Sequence, residues 1–262
     1  MLQQVADIVQ EAAALMTADR FTVMQKDGLT NLVTSSDLAV QHFLTGRLSE
    51  LLPGSGFLCE EEDLRDLAEE YVWIIDPIDG TANYARGLSD CCISVALARR
   101  GALLLGVVYS PRRGELYTAE LGKGARCNGR PIRVSERPFS DGLLCTAMST
   151  YRKELAQACS DIIYEIYMQC NDLRRWGSAA VELCLLASGA VELYFEMRLQ
   201  PWDYAAAMLI LHEAGGFIAG WNGGAPSLTQ PSLVVAANRP DSLGVLLAAV
   251  HTRLPDGLPY TD

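Results

Sequence analysis

Histidine is scarce in this chain, at three residues (His42, His212 and His251), and no two cysteines form a CxxC pair. A zinc site, which needs paired His/Cys spacing, is therefore not expected. Positive charge is also short: 21 Lys and Arg face 32 Asp and Glu, a net charge of −11. That deficit argues against binding nucleic acid, whose backbone takes stripes of Lys and Arg to displace its counterions. No apolar run approaches the ~20 residues that span a bilayer, because Arg99 and Arg100 interrupt the longest candidate. The first residues lack the basic-then-apolar pattern of a signal peptide. The expectation is a soluble, cytoplasmic protein with no membrane partner. Repeats, low-complexity tracts and charge blocks are missing as well.

What is present is apolar material: half of the 262 residues, against one fifth charged. This suits an ordinary globular core, as one large domain or two fused lobes. Eight cysteines (Cys59, Cys91, Cys92, Cys127, Cys145, Cys159, Cys170 and Cys184) sit mostly in apolar runs such as CCISVAL and VELCLLASG. They read as buried free thiols in a reducing compartment. A chain this acidic needs a local positive source to handle an anionic substrate, either metal ions or helix N-termini.

Apolar spacing predicts a first helix through Leu2, Val5, Val9, Ala12 and Met16, and a second from Ser36 to the stop at Pro53-Gly54. The polar KDGLTNLVTSSD between them reads as a hairpin or loop. Strands follow from Gly56 to Val134: GFLC, YVWII, then CISVALA and LLLGVVYS around an Arg99-Arg100-Gly101 turn, then ELYTAE and RPIRVS. After residue 140 helix and strand alternate. LLCTAM, Asp172 to Trp176, AVELYF, FIAG and LVVAAN read as strands. Helices are expected from Tyr151 to Cys170, from a Ser178 cap to Ser188, from Tyr204 to Ala214 and from Asp241. The sum is an α+β N-terminal lobe (1–140) and an α/β C-terminal lobe (141–262) forming one structural unit.

The chemistry gathers in WIIDPIDGTANY, Trp73 to Tyr84. Asp76 follows an apolar run, where a buried strand should end. Pro77, without an N–H, should stop ladder pairing and force a turn. A tight turn would bring Asp76 and Asp79 to one side, and convergent carboxylates repel unless a proton or cation lies between them. With hard oxygen donors alone nearby, Mg²⁺ is the natural occupant, and the Ile78 carbonyl could add an oxygen. Gly80 admits a ligand to the backbone, and the Gly80 and Thr81 amides can cradle phosphate. The plainer alternative is a Pro-x-Asp-Gly turn with a capping Asp. Two further patches weigh against it. CEEE, from Cys59, ends a second strand in acid. PWDYAAAMLILHEAGG sets Asp203 where a helix begins, its ordinary role there being an N-cap.

Taken together, CEE, WIIDPIDGT and PWDYAAAMLILHEAGG, with LVTSSDLAV and YSPRRGELYTAELGKGARCNG, closely resemble the inositol monophosphatase family over nearly the whole chain. These are lithium-sensitive, Mg²⁺-dependent sugar phosphatases. The resemblance implies a layered αβαβα sandwich. Most metal ligands would lie in the first lobe, with Asp203 and the substrate contacts in the second. Carried over by position, Glu60, Asp76, Asp79, Asp203 and the Ile78 carbonyl would hold two or three Mg²⁺ ions. Glu61 is the neighbouring acid, and the Glu60/Glu61 assignment can slip by one. Gly80 and Thr81 would bind phosphate, Asp37 and Thr81 would orient the attacking water beside Glu60, and Lys26 would lie in a hairpin closing over the site. Gly177, Ser178 and Ala179 match a substrate-lining turn, and Glu196 an acid that holds sugar hydroxyls. The implied reaction is hydrolysis of inositol monophosphate or a similar polyol phosphate monoester by metal-activated water, in a homodimer. DGTAN looks more like the inositol-type DGTTN than the DGTKE of nucleotide phosphatases. Relatives acting on fructose 1,6-bisphosphate, 3′-phosphoadenosine 5′-phosphate or histidinol phosphate are the alternatives, and a non-catalytic binding protein of the same fold is a remote one. Cys59, Ala82, Gln41 and ARGLSD depart from the usual pattern without removing a ligand.

Overall fold

The structure, a computed structural model, describes residues 1–17, 22–25, 32–61, 65–148 and 152–258. Its layers alternate helix and sheet. Helix α1 (Leu2–Ala12) buries Val5, Ile8, Val9 and Ala12, and α2 (Ser35–Leu51) buries Val40, Leu44 and Leu48. Both cover one face of a seven-stranded sheet, meeting Trp73, Ile75, Ile93 and Val95. Between them β1 (Val23–Gln25) and β2 (Leu32–Thr34) form an antiparallel pair where a hairpin or loop was expected. The tip of that segment, with Lys26, lies outside the described residues.

The large sheet runs β3 (Gly56–Cys59), β4 (Tyr71–Asp79), β5 (Cys92–Arg99), β6 (Ala102–Ser110), β7 (Glu115–Glu120), β8 (Ala125–Cys127) and β9 (Arg130–Pro131) in spatial order. The first pair is parallel and the rest antiparallel. Arg100 and Gly101, with φ of 50° and 79°, make the tight turn joining β5 to β6. The short helix α3 (Thr81–Ala85) leaves the end of β4.

Under the other face lies a layer of two helices, α5 (Ala179–Ala187) and α6 (Pro201–Glu213). Every residue of α5 is buried, as an apolar-all-round helix between two sheets requires. Gly106 on β6 lets α6 come close: a Cβ there would stand 2.5 Å from the Ala206 carbonyl oxygen. The second sheet contains β10 (Leu143–Thr146), β11 (Asp172–Arg174), β12 (Leu193–Leu199), β13 (Phe217–Ala219) and β14 (Ser232–Ala237), ordered β11-β10-β12-β14-β13. Its outer face packs on α4 (Ala156–Tyr167) and α7 (Pro240–Arg253) through Ile162, Ile166, Leu246 and Val250. This is the α+β layered sandwich expected. No described helix is long and apolar enough to cross a membrane.

Some boundaries differ from the sequence expectation. The Tyr151–Cys170 helix is shorter, an α-helix only over Ala156–Tyr167 behind a 3-10 turn at Lys153–Leu155. RPIRVS contributes only Arg130–Pro131 to a ladder. Beyond it Val134 donates its N–H to the Ala214 carbonyl, so the segment crosses to the end of α6 instead of pairing. The AVELYF strand starts later, at Leu193, and runs on to Leu199, which carries Glu196 into the sheet.

Candidate functional site

Pro77 does not end β4. The ladder continues to Asp79, with Asp76 opposite Ser94 and Asp79 opposite Cys92, so three steps on β4 face two on β5. That bulge, and not a turn after the strand, holds the two carboxylates. In a regular strand residues three apart point to opposite faces, and the extra residue restores the same side. Pro77 is tolerated because the bulge needs no ladder donor from it. Neighbouring β3 runs parallel to β4 and ends at Cys59 opposite Ile75, delivering Glu60 beside Asp76. CEEE thus closes a second strand in acid, as expected, and that strand is the neighbour of β4.

Asp76 is 2% exposed, and its Oδ1 is buried without a hydrogen-bond partner. Burial first, then the charges of Glu60, Asp79 and Asp203, hold its carboxyl well above the usual range, and it shares a hydrogen bond with Glu60. Asp203 is raised in the same way, by burial and then by Asp79 and Glu60. Asp79 is raised by burial, against opposing hydrogen bonds from Ser178 and nearby amides. Its Oδ2 accepts from Ser178 Oγ at 2.6 Å and from Ala180 N at 2.7 Å.

Asp203 is not the N-cap of α6. Gln200 is, and Asp203 occupies the third helical position, where its Oδ2 accepts the Gln200 N–H at 2.7 Å. The helix begins earlier than the apolar spacing suggests because Pro201 suits the first turn. Asp203 thus faces the β4 acids from the layer beneath. Glu61 is buried and tied differently: its N–H donates to Gln41 Oε1 at 3.0 Å and its carbonyl accepts from Gln41 Nε2 at 2.7 Å. Gln41, a departure from the family pattern, fixes the chain next to Glu60.

Gly80 has a left-handed φ of 86° and stands at the start of α3. A Cβ there would meet Asp90 O at 2.8 Å and both Gly177 O and Ser178 Cβ at 3.2 Å. The Thr81 hydroxyl lies 2.9 Å from the Ile78 carbonyl and 3.3 Å from Asp37 Oδ1, so Ile78 can offer a cation only its second lone pair. Asp37 is fully buried, and its Oδ2 accepts the Thr34 N–H at 2.8 Å in the capping box that opens α2. On the far side, Glu196 accepts the Tyr194 hydroxyl at 2.9 Å, and burial pushes its carboxyl up to about 7.

Among the described residues, no group of three or more His, Cys, Asp or Glu side chains is drawn together tightly enough to grip an ion as it stands. The acids nevertheless act on one another, and Asp76 keeps one buried oxygen unpaired. A shared proton settles such repulsion, and so does a cation. Oxygen donors alone suit a hard divalent ion, so these residues fit one.

Three residues that secure the site were not singled out for that work from the sequence. Ser178, expected to cap α5 and to line substrate, does cap α5 and in addition donates to Asp79. Asn83 Nδ2 donates to the carbonyls of Asp90 and Trp176 at 2.7 and 2.6 Å. Glu182 accepts the Trp176 and Gly177 N–H groups at 2.6 and 2.9 Å. A glutamate inside the apolar run AAVELCLLA was the signal available.

Comparison with known proteins follows the same lines. A model of the inositol monophosphatase family matches residues 1–254. The chain is 34% identical over 244 residues to the Escherichia coli (strain K12) protein named Nus factor SuhB, covering 92% of this chain and 90% of that one. Extragenic suppressor protein suhB from Bartonella henselae superposes with a TM-score of 0.86 at 30% identity, over 95% of this chain and 97% of that one. SaIMPase-II, solved with inositol monophosphate bound, gives 0.82 at 26% identity, over 97% and 96%.

Proposed function

The chain belongs to the inositol monophosphatase family, and from that premise we propose that it is a Mg²⁺-dependent phosphatase hydrolysing inositol monophosphate or a similar polyol phosphate monoester. The observation that carries the reading is Asp76: a buried carboxylate with one unpaired oxygen, facing Glu60, Asp79 and Asp203. Nothing in the fold of a protein that merely binds a neutral partner calls for four mutually repelling acids. Those four side chains and the Ile78 carbonyl would hold two or three ions. Bound there, Mg²⁺ supplies a hard Lewis acid that lowers the pKa of water and offsets charge on the phosphate and the leaving oxygen.

The remaining steps belong to the chain's own groups. The Gly80 and Thr81 amides, at the positive end of α3, receive phosphate oxygens where a Cβ at Gly80 would block the approach. Asp37, its Oδ2 held by the Thr34 N–H, would take the Thr81 hydroxyl proton on Oδ1 in place of the Ile78 carbonyl that accepts it here, so the Thr81 oxygen is left to accept a hydrogen bond from the attacking water. Glu60 stands on the same side as that water. Gly177, Ser178 and Ala179 line the sugar side, where Glu196 accepts from sugar hydroxyls. In this reading the first lobe brings the metal and phosphate residues, the second brings Asp203 and the sugar contacts, and the enzyme is a cytoplasmic homodimer.

The test is phosphate release from inositol 1-phosphate, fructose 1,6-bisphosphate, 3′-phosphoadenosine 5′-phosphate and histidinol phosphate, each with Mg²⁺ and with EDTA. Mg²⁺-dependent turnover highest on inositol 1-phosphate is expected. Preference for another of the four would move the substrate within the superfamily. A second reading, a role as a factor of the kind for which the Escherichia coli relative is named, rests on that name. It is favoured if none of the four esters is turned over by folded protein.

A further inference from the structure

The 176–180 turn is held from three sides. In front, Ser178 Oγ and the Ala180 N–H both donate to Asp79 Oδ2, at 2.6 and 2.7 Å. From the α3 side, Asn83 Nδ2 donates to the Trp176 carbonyl at 2.6 Å. From behind, Glu182 Oε1 takes the Trp176 and Gly177 N–H groups at 2.6 and 2.9 Å. Glu182 is 1% exposed, and its Oε2 is buried with no partner. The turn has little slack, since Gly177 has a φ of 82° and a Cβ there would approach Asn83 Nδ2 to 3.2 Å. The same turn abuts the phosphate side, its Gly177 carbonyl and Ser178 Cβ lying 3.2 Å from where a Gly80 Cβ would be.

A buried glutamate with an idle oxygen is costly where an apolar residue would pack, and helix closure does not use its side chain: the Glu182 N–H already bonds the Ser178 carbonyl. What the carboxyl does is gather the N–H groups of Trp176 and Gly177, which sets the direction in which Ser178 presents its hydroxyl and Ala180 its N–H. We propose that Glu182 is a positioning residue that fixes the 176–180 turn and, through it, the orientation of the Asp79 carboxylate, so that sugar binding and metal affinity are coupled. The inference rests on the metal-dependent reading above. Burial raises the Glu182 carboxyl to about 8. Near neutral pH it is largely the neutral acid, for which glutamine is a close match in shape and in its acceptor oxygen.

That match supplies the experiment. Glu182→Met keeps length and removes the acceptor, while Glu182→Gln keeps the acceptor. Mn²⁺ binding by calorimetry and the KM for inositol 1-phosphate are measured on both variants and the parent, with hydrogen–deuterium exchange across 176–180 in the metal-free proteins. Residues that orient a metal ligand typically change affinity about 10- to 100-fold. Glu182→Met is expected to weaken Mn²⁺ binding and raise KM together, each about 10-fold, and to speed exchange in the turn. Glu182→Gln should stay within about two-fold of the parent on all three readouts. A merely structural role would lower melting temperature in Glu182→Met while leaving both constants unchanged, and that result overturns the proposal. So does equal impairment of Glu182→Gln. If Glu182→Met fails to fold, Asn83→Ala loosens the turn from its other side and must shift the same constants. A parent protein that binds no Mn²⁺ overturns the metal reading itself, and the exchange data then judge Glu182 alone.

Discussion

Replacing Asp76 with asparagine should make the metal-free protein more stable and the enzyme dead. Asp76 is 2% exposed, carries an oxygen with no partner, and is pushed upward by burial and by Glu60, Asp79 and Asp203. Near neutral pH, folding must either protonate Asp76 or hold its charge among the other acids, which costs about 1.4 kcal/mol per tenfold rise in its proton affinity. Asparagine keeps the shape, discards the charge and can donate to Glu60. The expected gain of about 2 kcal/mol corresponds to roughly 4–8 °C in melting temperature for a domain of this size. Mg²⁺ at about 100 times its dissociation constant stabilises a folded protein by about 2.7 kcal/mol, or roughly 5–10 °C here. The parent should show that rise and Asp76→Asn little of it, so the order of melting temperatures inverts between EDTA and saturating Mg²⁺. Differential scanning calorimetry in both buffers, beside phosphate release, reads the whole prediction. A variant that folds normally yet melts below the parent in EDTA, or that keeps the Mg²⁺ shift, refutes the reasoning. Natural active sites commonly give up stability for function in this way.

Other consequences are equally open to measurement. Gly80→Ala forces a left-handed φ of 86° on an L residue and drives its Cβ to 2.8 Å from Asp90 O. A strain of about 1–2 kcal/mol with blocked phosphate approach should lower kcat/KM at least about 10-fold, and parental kinetics would contradict the phosphate role. Burial lifts Glu196 to about 7 and Glu182 to about 8 from 4.5, and raises Asp76 and Asp203 as well. The unfolded chain therefore gives up these protons first, and the metal-free protein should lose stability as pH rises from about 5 to about 8. A melting temperature in EDTA that climbs over that window would count against the acid cluster. Six of the eight cysteines are buried, and burial pushes the Cys59 and Cys91 thiols to about 12 and about 11. Ellman's reagent should titrate Cys127 and Cys170 at most until the protein is unfolded; rapid modification of Cys92 in the folded state would show the core near Asp79 to be open.

Much of this was legible in the sequence, because the site uses residues whose chemistry is conspicuous. Acids ending two apolar strands, a glycine where backbone must be bare, and Trp-Asp opening a helix all announce themselves locally. The layers were legible from periodicity, as in α1, or from a capping serine before an apolar stretch, as in α5. What was misjudged depends on partners far along the chain. The bulge at Pro77 is defined by its register against Ser94 and Cys92, which no reading of WIIDPIDGT alone reveals. Beyond its short pairing with β8, the RPIRVS segment turns to the end of α6, where Val134 bonds Ala214, a choice made in three dimensions. The bond from Ser178 to Asp79 spans 99 positions and leaves no local sign in the sequence. Glu182 shows the limit most clearly: its sequence context says buried acid, but only the fold says which amides it gathers.

A crystal of the protein grown with Mn²⁺ and measured for anomalous scattering would show whether Glu60, Asp76, Asp79 and Asp203 hold cations. Peaks are expected at oxygen-ligand distances, about 2.0–2.3 Å, from those four carboxylates and the Ile78 carbonyl. A well-ordered site with no anomalous peak among them, in protein that still releases phosphate, would contradict that role.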